Sequence, residues 1–164
     1  KHTLSYDEKP GIRTIIPLGI TDLSAGIMNM YAVLHADIDL LTGEAIPLVS
    51  KSQKSSDFVK FLQIADAKYP EGDTIRIILN NHSAHISKET KKYLETLPKE
   101  GLSLYLHYSY IMSEHDRKFF SKMTKQMLKG IRVNSKQELT DRIYQYFNEI
   151  NAEPVVYHWT CKMD

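Results

Sequence analysis

With 164 residues, 42% of them hydrophobic and 25% charged, the chain can bury one sizeable core, and it reads as a single soluble domain over residues 1–164. A formal net charge of +1 excludes bulk electrostatics as a basis for nucleic-acid binding, so any basic surface must be local. The lone Cys161 excludes an internal disulfide and a paired-cysteine zinc site and suits a reducing cytoplasm, and no apolar run approaches membrane-spanning length.

The opening Lys1-His2-Thr3 is no signal peptide, and a strand-like segment follows with no lead-in, as expected of a fragment. Thr3 to Tyr6 reads as a short strand, stopped by a turn at Pro10-Gly11 that leaves Asp7 at its end. Residues 12–25 read as loop. Met28 to Asp39 reads as a strand, and Leu41 to Glu44 turns it into a hairpin with Ala45 to Val49, where Pro47 argues that the second strand lies at a sheet edge or carries a bulge.

Ser55 or Ser56 is expected to cap a helix with Phe58, Phe61, Leu62 and Ala65 inward, ended by Pro70 and Gly72. Thr74 to Leu79 is a β-branched run that stops abruptly at Asn80-Asn81-His82. Such a strand delivers a site, since ligands and chemistry collect beyond the carboxyl ends of strands in α/β folds. Ser87 is expected to cap a second helix that buries Tyr93, Leu94 and Leu97 before Pro98, and Leu102 to Leu106 is strand-like. A helix from Glu114 to Lys129 carries Phe120, Met123 and Met127 on one face and stops at Gly130. Ser135 and Glu138 form a capping box for a last helix with Leu139, Ile143, Phe147 and Ile150 inward.

Two features are ambiguous on pattern alone. His82 and His85 could ligate a transition metal, but two histidines three apart beyond a strand are more often turn and capping residues. Arg117, Lys118, Lys122, Lys125, Lys129 and Arg132 contain no acid among them, which suits either a solvated helix face or phosphate contacts.

The blocks Asp7 to Ile12, Asp39 to Glu44, Asn81 to His85, Phe119 to Met123, Ile131 to Leu139 and Asn151 to Thr160 together resemble the catalytic domain of bacterial insertion-sequence transposases. These form a branch of the mariner-like DDE superfamily. The resemblance implies an α/β fold of the ribonuclease-H-like type, a mixed five-stranded sheet flanked by helices. It further implies Mg²⁺-dependent cleavage of DNA at transposon ends and transfer of the 3′-hydroxyl into target DNA. The implied partners are those DNAs and a second copy of the chain, with no membrane, in a bacterial, nucleoid-associated cytoplasmic setting. A helix-turn-helix module expected ahead of the catalytic domain is absent from these residues.

In that family three carboxylates hold two Mg²⁺ ions, because hard dications confined beside a phosphodiester require anionic oxygen ligands. Asp7 matches the first carboxylate and is the expected metal ligand. Asn80 stands where the second belongs, and a neutral amide brings no charge. The third position falls on Arg117, with Glu114 and Asp116 as nearby substitutes, and Lys118, Lys122, Lys125 and Lys129 are the candidate DNA contacts. The resemblance also lapses between Ile12 and Asp37. Codons for Glu114–Arg117 read one base out of frame can spell Asn-Met-Ile-Glu, and those for Ile27–Ala32 can spell a second lost motif, so paired frameshifts are the hypothesis and the gene sequence is its test.

The expected geometry places Asp7 and Asn80 at neighbouring strand ends beside the helix that starts near Glu114, with irregular structure over residues 12–36 and 107–118. The expected activity is nil or severely impaired. Two alternatives are a non-catalytic DNA-binding or interaction remnant of the same fold, and an unrelated metal hydrolase built on Asp7, Asp37, Asp39 and the histidines.

Overall fold

Strand β1 (His2–Ile12) is the axis of the fold, because antiparallel and parallel pairing meet on its two edges. The computed structural model describes residues 1–12, 32–98, 101–106 and 112–156, without the side chains of 103, 105, 106 and 112–117. One edge of β1 pairs antiparallel with β2 (Ala32–Asp39), which forms a hairpin with β3 (Ala45–Ser50). The other edge pairs parallel with β4 (Ile75–Leu79), itself parallel to β5 (Leu102–Leu106). The strand order is β3-β2-β1-β4-β5. Parallel neighbours need crossovers, and α1 (Ser55–Lys68) and α2 (Lys88–Leu94) supply them; α3 (Met112–Met123) and α4 (Lys136–Ala152) follow β5.

The period of two along each strand divides the core into two layers. Leu4, Tyr6, Ile75, Ile77 and Leu79 pack against Phe58, Phe61, Leu62 and Ala65 of α1. On the opposite face Ala32, Leu34, Ala36 and Ile38 pack against Phe119, Phe120 and Met123 of α3 and Leu139, Ile143 and Phe147 of α4. The helical residues on both sides recur at three- and four-residue intervals, which is the stripe a helix must present to a sheet. Full burial of each large side chain contributes about 1.5–3 kcal/mol.

Pro47 lies on an edge strand, as its missing N–H requires. The adjacent outward groups are covered by α4: the Ala45 N–H donates to Asn151 Oδ1 at 2.8 Å, and the Val49 N–H to the Tyr144 hydroxyl at 3.2 Å. The Asn151 amide returns a 2.8 Å hydrogen bond to the Ala45 carbonyl. An edge dressed in this way offers little template for pairing with another chain.

Three local expectations are corrected. Pro10-Gly11 does not end β1; the strand continues to Ile12 through a bulge, one residue longer than its partner between Lys9↔Leu34 and Ile12↔Ala32. Gly11 adopts φ 64° there, and pairing with β4 has already ended at Ser5↔Ile78, so Pro10 withholds its N–H from no second neighbour. Neither Ser55 nor Ser56 caps α1: the cap is Lys54, with no side-chain bond, and the Ser55 hydroxyl donates instead to Glu89 Oε2 at 2.8 Å. The long helix expected to Lys129 is α-helical only to Met123, then widens into a π-turn over Thr124–Leu128 closed by Lys129 N–H to the Thr124 carbonyl at 2.7 Å.

Ser87 and Ser135 do cap α2 and α4, accepting from Thr90 N–H and Glu138 N–H at 3.1 Å each. The strand part of the segment expected to be irregular is regular: Ala32–Ala36 is fully buried in β2. Residues 13–31 and 107–111 lie outside the described residues.

Candidate functional site

The site follows from the register of the two central parallel strands. His2↔Ile75 through Ser5↔Ile78 are paired, and the same register carried two residues further sets Asp7, midway along β1, level with Asn80, the first residue past the carboxyl end of β4. Asp7 sits opposite Ala36 of β2, which faces α3 and α4, so alternation directs Asp7 to that face as well. There α3 packs on β1, and an open cleft of about 340 Å³ is lined by Asp7, Glu8, Lys9, Pro10, Phe120 and Ser121. Asn80 is exposed, and its backbone carbonyl receives the Nδ1–H of His85 at 2.8 Å. Glu114, Asp116 and Arg117 belong to α3, with side chains outside the described residues. Lys118, Lys122, Lys125, Lys129 and Arg132 are all exposed.

The neighbouring residue Glu8 points to the opposite face and meets a different environment. Its side chain is buried, and the Tyr6 hydroxyl donates to Oε1 at 2.7 Å while the Gln53 amide donates to Oε2 at 2.7 Å. His35 Nδ1 lies 2.7 Å from the Tyr6 oxygen. Because Tyr6 has given its only proton to Glu8, that nitrogen must be the donor. His35 Nε2 lies 2.8 Å from Ser50 Oγ, whose own proton goes to the Ser52 carbonyl at 2.6 Å, so this nitrogen donates too. The fully buried His35 is therefore a donor through both nitrogens, 3.4 Å from the Glu8 carboxylate.

Burial by itself would raise the Glu8 carboxyl, but the His35, His85 and Tyr6 side chains around it outweigh burial and hold the group below the usual carboxylate range. The Tyr6 hydroxyl is pushed well above its ordinary value, by burial first and by the Glu8 charge second. Glu8, Tyr6 and His35 carry no motif. The signal that could have found them is spacing: Tyr6 and Glu8 share one face of β1, and His35 interrupts an otherwise apolar strand.

A third polar group lies toward the other end of the sheet. His2 is stacked on Tyr69 with centroids 4.0 Å apart and contacts Asp39 and Asp73 through its two nitrogens at 2.9 and 3.1 Å. Tyr69 also donates to Asp39 at 3.1 Å. This placement separates the acids grouped in the hydrolase alternative. Asp37 and Asp39 alternate with the Ala36 and Ile38 that face α3 and α4, so they point away from the Asp7 face, and Asp39 pairs with Leu4 rather than with the carboxyl end of β1.

A mixed sheet in this order, covered by helices on both faces and carrying an acid on its first strand just past the pairing with β4, has the ribonuclease-H-like form. Solved structures agree on the fold. The catalytic domain of Mos1 mariner transposase aligns with a TM-score of 0.60 at 16% identity, over 89% of this chain and 69% of its own. The HTLV-2 integrase catalytic core domain in complex with magnesium, in a dimeric form, aligns at 0.60 and 13% identity, over 93% of this chain and 87% of its own. A simian T-cell lymphotropic virus intasome bound to the PP2A regulatory subunit B56 gamma aligns at 0.61 and 16% identity. That alignment covers 96% of this chain, which spans half the length of the intasome chain.

No family model and no curated protein matches the chain. The chain thus has the fold of transposase and integrase catalytic domains. Among the described residues no helix is long and apolar enough to cross a membrane.

Proposed function

We propose that the chain is the catalytic domain of a bacterial insertion-sequence transposase of the mariner-like DDE type, descended from an enzyme that cleaved transposon ends and joined their 3′-hydroxyls to target DNA. The observation that supports this reading is the parallel register of β1 and β4, which two residues past its last pair, Ser5↔Ile78, sets Asp7 level with Asn80, with α3 packed on β1. The exposed Lys118, Lys122, Lys125 and Lys129 follow along α3 and its π-turn. They are the proposed contacts to the phosphate backbone.

Bound Mg²⁺ would activate the attacking oxygen and steady the leaving one in an in-line phosphoryl transfer. The donors present do not fit two such ions. Asp7 supplies one carboxylate, Asn80 only an amide oxygen, and the third position in the family's pattern falls on Arg117. Glu114 and Asp116 remain the two candidate substitutes on α3. The proposed chain folds and contacts DNA but cleaves it poorly.

Plasmid nicking in Mg²⁺ or Mn²⁺ against an Asp7→Ala control tests this. The unaltered chain is expected to match the control, and Asn80→Asp alone to restore little, because ligands of one cluster act as a unit. Joining Asn80→Asp to the family block over residues 107–118 is expected to restore metal-dependent nicking. Robust nicking by the unaltered chain that is lost in Asp7→Ala would overturn the claim of impairment and assign the third ligand to Glu114 or Asp116.

A further inference from the structure

On the face of β1 away from the Asp7 cleft, Glu8, His82 and His85 bring three ligand atoms within 4.8 Å of one another. We propose that they form a binding site for a transition-metal dication of the Zn²⁺ class, which ties the segment after β4 to the middle of β1.

The first reason is the orientation of His85. Its Nδ1–H is committed to the Asn80 carbonyl at 2.8 Å, which leaves Nε2 as the lone-pair nitrogen of the neutral ring. That nitrogen is buried with no hydrogen-bond partner among the described residues, and it faces Glu8 Oε1 at 3.5 Å. A lone pair aimed at a carboxylate repels it unless a cation lies between them. A hydrogen bond joining two charged groups would draw the atoms to about 2.7–2.9 Å. Two ligand atoms sharing one tetrahedral zinc, each about 2.0–2.2 Å from it, stand roughly 3.3–3.5 Å apart, which is the spacing observed. A backbone carbonyl fixing the other ring nitrogen is the usual outer support of a metal-ligating histidine.

The second reason is the state of the other two ligands. Glu8 Oε1 accepts from Tyr6 and keeps a second lone pair, so ligation does not require breaking that bond. His82 is half-buried, and among the described residues its ring accepts a long 3.3 Å contact from the Ala84 N–H at Nδ1, which leaves the ring a ligand with little to give up. Two histidines and one carboxylate, with the solvent side of His82 completing the coordination, suit Zn²⁺ or Co²⁺ better than a hard cation that prefers oxygen alone. The site is separate from the transposase reading, since it uses the face of β1 that Asp7 does not.

The test is equilibrium dialysis of the intact chain against Zn²⁺, with the visible spectrum of the Co²⁺-loaded chain. One zinc per chain is expected, with affinity reduced roughly tenfold or more in His82→Ala and in Glu8→Gln and unchanged in Asp7→Asn, and Co²⁺ is expected to give the intense bands of four-coordination. His82 lies in a half-buried turn, so its variant keeps the test decisive if Glu8→Gln does not fold. Zinc binding that is absent, or equal in wild type and His82→Ala, overturns the proposal. So does ring ¹⁵N NMR showing His85 protonated on both nitrogens in the presence of zinc.

Discussion

Asp7 and Glu8 are adjacent acids on one strand, yet they occupy opposite kinds of site. Glu8 points into the α1 layer, where burial obliges every polar atom to find a partner, and Tyr6, Gln53, His35 and His85 surround it. Asp7 points toward α3 and lines an open cleft. A buried, neutralised carboxylate contributes to fold specificity and to local metal binding, whereas an acid at an open strand end is placed to meet a substrate. The chemical type of a residue thus decides less than the face of the sheet it occupies.

The largest expected effect probes the packing behind Glu8. Phe58→Ala removes a ring 5.2 Å from that of Tyr6 and 4.4 Å from that of His85, and should cost about 3–5 kcal/mol in urea unfolding. A loss under about 1 kcal/mol would mean the α1 layer is not the rigid one. Next, Glu8→Gln should cost about 1–3 kcal/mol by unsettling a buried network, while Asp7→Asn should stay within about 0.5 kcal/mol. Equal losses would erase the contrast between the two faces.

Acid should reveal the same difference. The Glu8 carboxyl is held below its unfolded value, so its stabilisation is complete at neutral pH. That contribution is lost as pH falls from about 5 through the folded value. Urea midpoints measured between about pH 5 and 2 should therefore fall more steeply for the wild type than for Glu8→Gln. Parallel profiles would refute the assignment. The smallest effect separates the helix starts on the two faces: Ser135→Ala should cost about 1 kcal/mol as the loss of a cap, and Ser55→Ala less than about 0.5 kcal/mol, both read from thermal unfolding.

Much of this architecture was legible because periodicity is local. The alternation of Ile75, Ile77 and Leu79, the inward stripe of Phe58, Phe61, Leu62 and Ala65, the Ser135 cap and the edge position of the Pro47 strand each follow from residues a few positions apart, and the structure agrees on each. The return half of the capping box differs, because Glu138 Oε2 accepts from the Asn134 N–H instead of that of Ser135. The mixed α/β class follows from their order. Where competing local signals met, the reading erred: Pro10-Gly11 reads as a turn until the partner strand absorbs it as a bulge, and Ser55 reads as a cap until Glu89, 34 residues away, takes its hydroxyl.

What the chain's own order could not decide is which acids share a face and which histidines meet them. Glu8, His35, His82 and His85 are scattered over three segments, and only pairing of β1 with β2 and β4 brings them together. The same pairing sets the register that carries Asp7 level with Asn80 and turns Asp37 and Asp39 to the other face. Side-chain type and helical or strand period are properties of neighbouring residues. The company a buried charge keeps is set by contacts distant in sequence, and for a carboxylate that company determines whether it is a structural anion or a ligand.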